Sequence, residues 1–327
     1  MRTRRPAAAA LLAVTTLLTG CGLESANTFT PQAQPAQIEP IPGADGAEVV
    51  VGTKNFTEAL ILGKIAVIAL QAAGFDVTDR SGIPGAAPAR AAMLDGEVEV
   101  QWEYTGTGWL NYLGMPTGIP DRQEQYEAVR DADLANGLTW LPPAPANNTY
   151  AFAVRSEAVP ELGGIDSLSD IAALPVEERT FCVESEFATR SDGFEPMLEA
   201  YGIPLGDPQG VPRDNVNILD TGAVYTATDN GLCNFGEVFT TDGRIPALDL
   251  TVLEDDRAFF PAYNVAPVVL TETLEQHPGI ADVFAQITPL LTDDVLQQLN
   301  ARVDVDGEDP ADVALDWLVS EELVARA

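Results

Sequence analysis

The chain has 327 residues, 46% of them hydrophobic, which is enough for two ordinary domains and too apolar for a mainly disordered protein. Asp and Glu total 50 against 17 Lys and Arg, and the formal net charge of -33 repels nucleic acid, nucleotides and anionic headgroups. One histidine, His277, and the lack of a P-loop or paired-glycine fingerprint leave no support for a metal site, a histidine-based triad or a nucleotide cofactor. The chain reads as a binder and not an enzyme, with no cofactor and no nucleic-acid partner.

The first twenty residues have the layout of a secretory signal. Arg2, Arg4 and Arg5 precede an apolar run over 7–18 that is too short to span a membrane stably. The run ends Leu18-Thr19-Gly20-Cys21, which resembles a bacterial lipobox and implies lipidation of Cys21; an ordinary cleaved signal with an incidental cysteine is the alternative. Residues 21–47 are rich in Pro, Gln, Ala and Ser with no hydrophobic period, so they read as a flexible lipidated tether. The expected body starts at Glu48, extracytoplasmic and held at the cell membrane by its lipid anchor.

Residues 49–52 form an apolar strand, and 57–73 carry Leu60, Ile61, Ile65, Ile68 and Ala69 at helical spacing before Gly74 stops the helix. A strand begins at 75–77, 86–94 is helical, and 97–102 alternates Val98 and Val100 with polar neighbours as a strand does. This β-α-β-α-β order implies a largely parallel sheet with binding loops at the carboxyl ends of its strands. A charged helix over 117–136 precedes Leu141-Pro142-Pro143-Ala144-Pro145, which cannot be regular structure. Residues 150–154 are the first candidate crossing strand.

The same alternation restarts with helices over 167–174, 193–201 and 221–230 and strands over 180–183 and 236–240. A second α/β domain follows from it. Residues 259–264 read as a return crossing that sends helices near 279–291, 293–302 and 310–324 back to the first domain. The expected lobes are 48–152 with 260–327, and 153–259. Cys182 and Cys233 are an even pair in an oxidising compartment, either bridged or both free and buried.

Aromatic residues gather at the predicted loop ends: Tyr104, Trp109, Tyr150, Phe152, Phe187, Phe239, Phe259, Phe260 and Tyr263. Singly, such rings fill cores. Beside them stand Thr105, Thr107, Asn147, Asn148, Arg190, Asp192, Thr240 to Asp242 and Asn264, and the mixture suits a ligand with an apolar cation at one end and an anion at the other. Gly106 and Gly108 are expected to let the backbone approach a small ligand.

Six segments, in order, resemble the osmoprotectant-binding proteins of ABC importers: Gly52-Thr53-Lys54-Asn55-Phe56-Thr57-Glu58, Glu103-Tyr104-Thr105-Gly106-Thr107, Asn147-Asn148-Thr149-Tyr150, Phe187-Ala188-Thr189-Arg190-Ser191-Asp192-Gly193, Phe239-Thr240-Thr241-Asp242-Gly243-Arg244 and Phe259-Phe260-Pro261-Ala262-Tyr263. The resemblance implies an α/β, two-lobed, type II periplasmic-binding-protein fold with two crossover strands as hinge. It implies a monomer that binds a small quaternary amine (glycine betaine, proline betaine, choline or carnitine) and delivers it to a permease with its ATPase.

By motif, the aromatic box should be Tyr104, Tyr150, Phe239 and Tyr263, with Phe239 where the family usually has tyrosine. The carboxylate set should be Lys54, Thr107 and Arg190, with Asn55, Thr105, Asn148 and Thr241 as further pocket residues. Arg190 can grip a carboxylate with two donors, Lys54 adds a point charge and Thr107 a neutral hydrogen bond. Choline has no carboxylate and would leave that set unpaired, so betaines are expected over choline. Lys54, Tyr104, Thr107 and Tyr150 are expected on one lobe and Arg190 and Phe239 on the other, so that closure completes the site. Glu103 and Trp109 read as neighbours only.

Overall fold

A computed structural model describes residues 30–119 and 121–327. The predicted signal, residues 1–20, and Cys21 lie outside the described residues. In chain order the strands are β1 (Ala33–Pro35), β2 (Glu48–Lys54), β3 (Asp76–Ile83), β4 (Val100–Tyr104) and β5 (Leu138–Trp140). β6 (Tyr150–Arg155), β7 (Phe181–Glu184), β8 (Val216–Leu219), β9 (Phe235–Phe239) and β10 (Leu250–Val252) follow, and then β11 (Val265–Leu270) and β12 (Val324–Arg326). They make two five-stranded sheets, β3-β2-β4-β11-β5 and β10-β6-β9-β7-β8, and a β1-β12 ribbon.

Each sheet is mixed. β2 is parallel to β3 and β4, whereas β11 is antiparallel to β4 and β5. In the second sheet β7 is parallel to β8 and β9, and β6 is antiparallel to β9 and β10. The expected parallel sheet therefore holds for the β-α-β units alone. β6 and β11 each arrive from the other lobe, enter at the carboxyl edge of their new sheet, and so run against its strands.

The helix Thr57–Ala72 is apolar on nearly every face, and it is wedged between the first sheet and the helices Asp293–Asp304 and Pro310–Ser320. Val49, Val51, Ile65, Ile68, Val100, Phe284 and Trp317 fill that core. The second lobe is built on rings, with Phe152, Phe181, Phe187, Phe194 and Phe235 in one cluster. Cys182 on β7 is bridged to Cys233, with Cα atoms 5.8 Å apart and a sequence separation of 51. Closing a loop of that length stabilises by about 4 kcal/mol in the chain-entropy picture.

Two boundaries differ from the sequence reading. Residues 30–47 are not a tether: β1 pairs with β12, Ile38 N donates to Leu323 O at 2.9 Å, and Ile38 and Ala44 are fully buried. Their apolar residues act as single plugs against the lobe, and single plugs have no period. Tyr150 and Phe152 belong to the second lobe and not to 48–152, because Tyr150 already pairs with Phe239 at the start of β6.

The crossings themselves are short and polar. Asn147 and Asn264 form an antiparallel bridge, Asn147 Oδ1 accepts from Tyr263 N at 2.7 Å, and Asn148 N donates to Tyr263 O at 3.2 Å. Thr149 Oγ1 donates to Pro261 O at 3.2 Å. The hinge is thus two segments tied side by side, which orients both lobes around one axis.

Candidate ligand-binding cleft

A cavity of about 710 Å³ lies between the lobes, bordered by residues of both. Five rings border it: Phe56, Tyr104, Tyr150, Phe239 and Tyr263. Phe56 caps the helix Thr57–Ala72 immediately after β2, Tyr104 ends β4, Tyr150 opens β6, Phe239 ends β9, and Tyr263 precedes β11. Strand ends converge because β4 meets β11 with Tyr104 opposite Val265, and β6 meets β9 with Tyr150 opposite Phe239. The Phe56 centroid is 5.9 Å from Tyr104 and 5.7 Å from Phe239; Tyr150 is 5.3 Å from Phe239 and edge-on to Tyr263 at 5.4 Å. All four expected box residues are brought together. Phe56 is the fifth wall, passed over although it sat in a quoted motif.

Gly106 serves this wall and Gly108 the core of the first lobe, neither a ligand. A Cβ on Gly106 would lie 2.5 Å from the Tyr263 ring, and one on Gly108 would lie 2.7 Å from Trp140. Side-chain packing occupies the space that sequence reading reserved for the solute.

The expected carboxylate set is present at the cavity, but its cations already have partners. Lys54 Nζ lies 2.9 Å from Glu103 Oε2, with both residues buried, and 4.6 Å from the Tyr104 ring centroid. Glu103, read as a bystander, also accepts from Gln101 Nε2 at 2.6 Å and Tyr112 Oη at 2.8 Å. Arg190 presents its fork to Asp192: Nε to Oδ1 at 2.8 Å and Nη2 to Oδ2 at 2.7 Å. Burial works against the Asp192 charge, but the Arg190 guanidinium prevails and holds that carboxyl below the usual range. Arg190 stacks 5.2 Å from Tyr150, and its remaining nitrogen Nη1 has Glu186 Oε1 at 3.5 Å. Asn111 Nδ2 and Tyr263 Oη donate to Asp192, which joins this pair to the first lobe.

Asn55, Thr107, Asn148 and Thr241 border the cavity. Thr105 does not. Its buried hydroxyl donates to Ala262 O at 3.2 Å and accepts from Asn264 N at 3.2 Å, so it pins the second crossing to the end of β4. Glu58 also borders the cavity; it stands in a motif expected to line the pocket, but sequence reasoning gave it no role of its own. It is 2% exposed, and its oxygens accept from Tyr104 Oη (2.7 Å), Asn148 Nδ2 (2.8 Å), Thr241 Oγ1 (2.5 Å) and Asn300 Nδ2 (3.1 Å). Burial raises its carboxyl above the ordinary range, against the pull of those four donors. An acid in a first helical turn reads as a partner of the helix dipole, and nothing local distinguishes this one.

The profile of the substrate-binding domain of the ABC-type glycine betaine transport system matches residues 47–320. The chain belongs to this family. It is similar to the glycine-betaine-binding protein of Pseudomonas aeruginosa, 40% identical over 282 residues that cover 84% of this chain and 88% of that one. It is also similar to the glycine betaine-binding protein YehZ of Escherichia coli, at 33% identity over 85% of this chain and 92% of the relative. The solved apo structure of YehZ matches with a TM-score of 0.64 at 30% identity, covering 84% of this chain and 99% of that one. The family's type II periplasmic-binding-protein fold is the fold seen here, and its members are extracytoplasmic solute-capturing components of ABC importers, not enzymes.

Proposed function

We propose that this family member captures a quaternary-ammonium osmoprotectant, glycine betaine or proline betaine, between its lobes and hands it to an ABC permease and its ATPase. The observation that carries this reading is the convergence of five rings from both lobes on one cavity. A desolvated ring face is worth roughly 0.5 to 2 kcal/mol to a cation, and Phe239 keeps that face without a hydroxyl. The ligand carboxylate would meet Lys54, Thr107 and the Nη1 side of Arg190, where it would compete with Glu186. The similarity to proteins named for glycine betaine supports the same ligand class. Because Lys54 and Arg190 carry Glu103 and Asp192, choline would not leave them unpaired, and the preference for betaines rests on their remaining donors. The protein acts as a monomer, lipid-anchored through Cys21 after removal of residues 1–20.

Calorimetric titration with glycine betaine, proline betaine, carnitine and choline tests this reading. A betaine should bind at micromolar affinity or tighter, within the ceiling for a ligand of about eight heavy atoms. Binding of none of the four would refute the reading, and choline binding tighter than glycine betaine would refute the preference. Cavity size favours a second reading: about 710 Å³ is far more than such a ligand fills, and cavities of roughly 300 to 1,000 Å³ take drug-sized molecules. A larger betaine would place its ammonium in the rings and its remainder against Ser185, Asp220 and Thr221, which also border the cavity.

A further inference from the structure

Three cations border the cavity, and each faces a carboxylate of its own: Lys54 with Glu103, Arg190 with Asp192, and Arg244 with Asp242 at 2.5 Å. Two acids on the wall are buried, Glu58 and Asp242. Asp242 has Arg244. Glu58 has, among the described residues, only neutral donors: the hydroxyls of Tyr104 and Thr241 and the amides of Asn148 and Asn300. Hydrogen bonds stabilise a buried carboxylate without cancelling its charge. That charge sits at the hydroxyl end of a box ring, because Tyr104 Oη donates to it; both residues border the cavity, and Lys54 Nζ lies 4.6 Å from the centroid of the same ring. A hydroxyl that donates to an anion leaves its ring richer in electrons, and a richer ring draws a cation more strongly. A desolvated ring face contributes roughly 0.5 to 2 kcal/mol to a cation, and a nearby buried anion adds to that pull.

We propose that Glu58 is the counter-ion of the bound ligand's ammonium and the residue that makes the cleft select a cation. This inference rests on the reading of the cleft as a quaternary-amine site. Glu58 acts across the cavity wall and through the Tyr104 ring, not by touching the methyl groups. Thr241 reaches the same carboxylate from the second lobe, so lobe contact encloses the charge and strengthens its field. The backbone position is fixed by the helix Thr57–Ala72, whose first turn also favours an anion.

The test compares each amine with its carbon analogue: glycine betaine with tert-butylacetate, and choline with tert-butylethanol, by calorimetry on the full chain. Whichever amine the wild type binds more tightly sets the pair. Glu58→Gln keeps the size and an acceptor oxygen, and it should cut the amine-over-analogue ratio roughly 10- to 100-fold while the melting temperature and circular dichroism persist. Thr241→Val removes a hydrogen bond to the same carboxylate but leaves the carboxyl group in place, and should lower the ratio by much less than Glu58→Gln does. An unchanged ratio in Glu58→Gln, or an equal fall in both variants, overturns the counter-ion role. A wild type that binds neither amine overturns the cleft reading as well, so the two failures are distinguishable.

A second measurement needs no variant. Between pH 8 and pH 4.5 the amine affinity of the wild type should fall as Glu58 takes a proton, whereas that of tert-butylethanol should not. The other titratable or charged groups facing this corner are Lys54 of β2, Tyr104 of β4, Asp304 of the helix Asp293–Asp304, and Asp242 and Arg244 beyond Thr241. Amine affinity that stays flat across that range overturns the proposal.

Discussion

Tyr104 joins the ring wall to the buried acid, and its two substitutions should separate those roles. Tyr104→Ala removes the ring and should abolish measurable binding by titration. Tyr104→Phe keeps the face but loses the bond to Glu58, for which a hydrogen bond to a charged group suggests a loss of about 1.5 to 3 kcal/mol. Arg190 behaves differently. Replacing it with Ala strands the buried Asp192 carboxylate, so thermal unfolding should show a loss of roughly 3 to 5 kcal/mol before any ligand is added, and Asp192→Asn in the same chain should restore part of it. Glu237 on β9 gives the pH prediction. Burial, with Glu184 and Glu186 nearby, pushes its carboxyl up to about 8, although the backbone N–H of Glu184 donates to it. The folded state therefore holds a proton that the unfolded chain releases near pH 4.5, and stability falls with rising pH across that window by up to roughly 1.4 kcal/mol per unit. Melting curves from pH 5 to 8 should show the decline in the wild type and a flatter profile in Glu237→Gln.

Among elements, those with a strong period were legible in the sequence. The helix Ala86–Leu94 and the β-α-β-α-β alternation follow from apolar spacing and stop residues. Six of the twelve strands among the described residues, β1, β5, β8, β10, β11 and β12, were not legible, and three of them show why. β5 has three residues, β8 exposes Ile218, and β11 carries Pro267 inside a sheet, where proline argues against a strand. The segment before β2 shows the same limit from the other side: Ile38 is fully buried, yet its surroundings have linker composition. Ile38→Ala should cost about 2 to 4 kcal/mol in chemical unfolding, a loss that a true tether residue would not show.

For the whole molecule, the two lobes meet at opposite sides of the cavity. Glu58 and Asn300 hold Thr241 on one side, and Asn111 and Tyr263 hold Asp192 on the other. Ligand-driven hinge closure predicts a smaller radius of gyration by small-angle scattering at saturating glycine betaine. An unchanged scattering profile would argue that binding does not move the lobes.

The sequence by itself determined the two α/β units, the return of the chain to its first lobe, and four of the five rings, because helical and strand periods and ordered motifs are written among near neighbours. Tertiary structure alone decided that Tyr150 sits on the second lobe, that Lys54 and Arg190 are already paired with carboxylates, that Thr105 faces the hinge, and that Glu58 has no cationic partner among the described residues. Those facts depend on partners 49 residues away for Lys54 and Glu103, and 242 away for Glu58 and Asn300. Charge pairing and burial are set by which distant segments the fold brings into contact, and no local pattern carries that information.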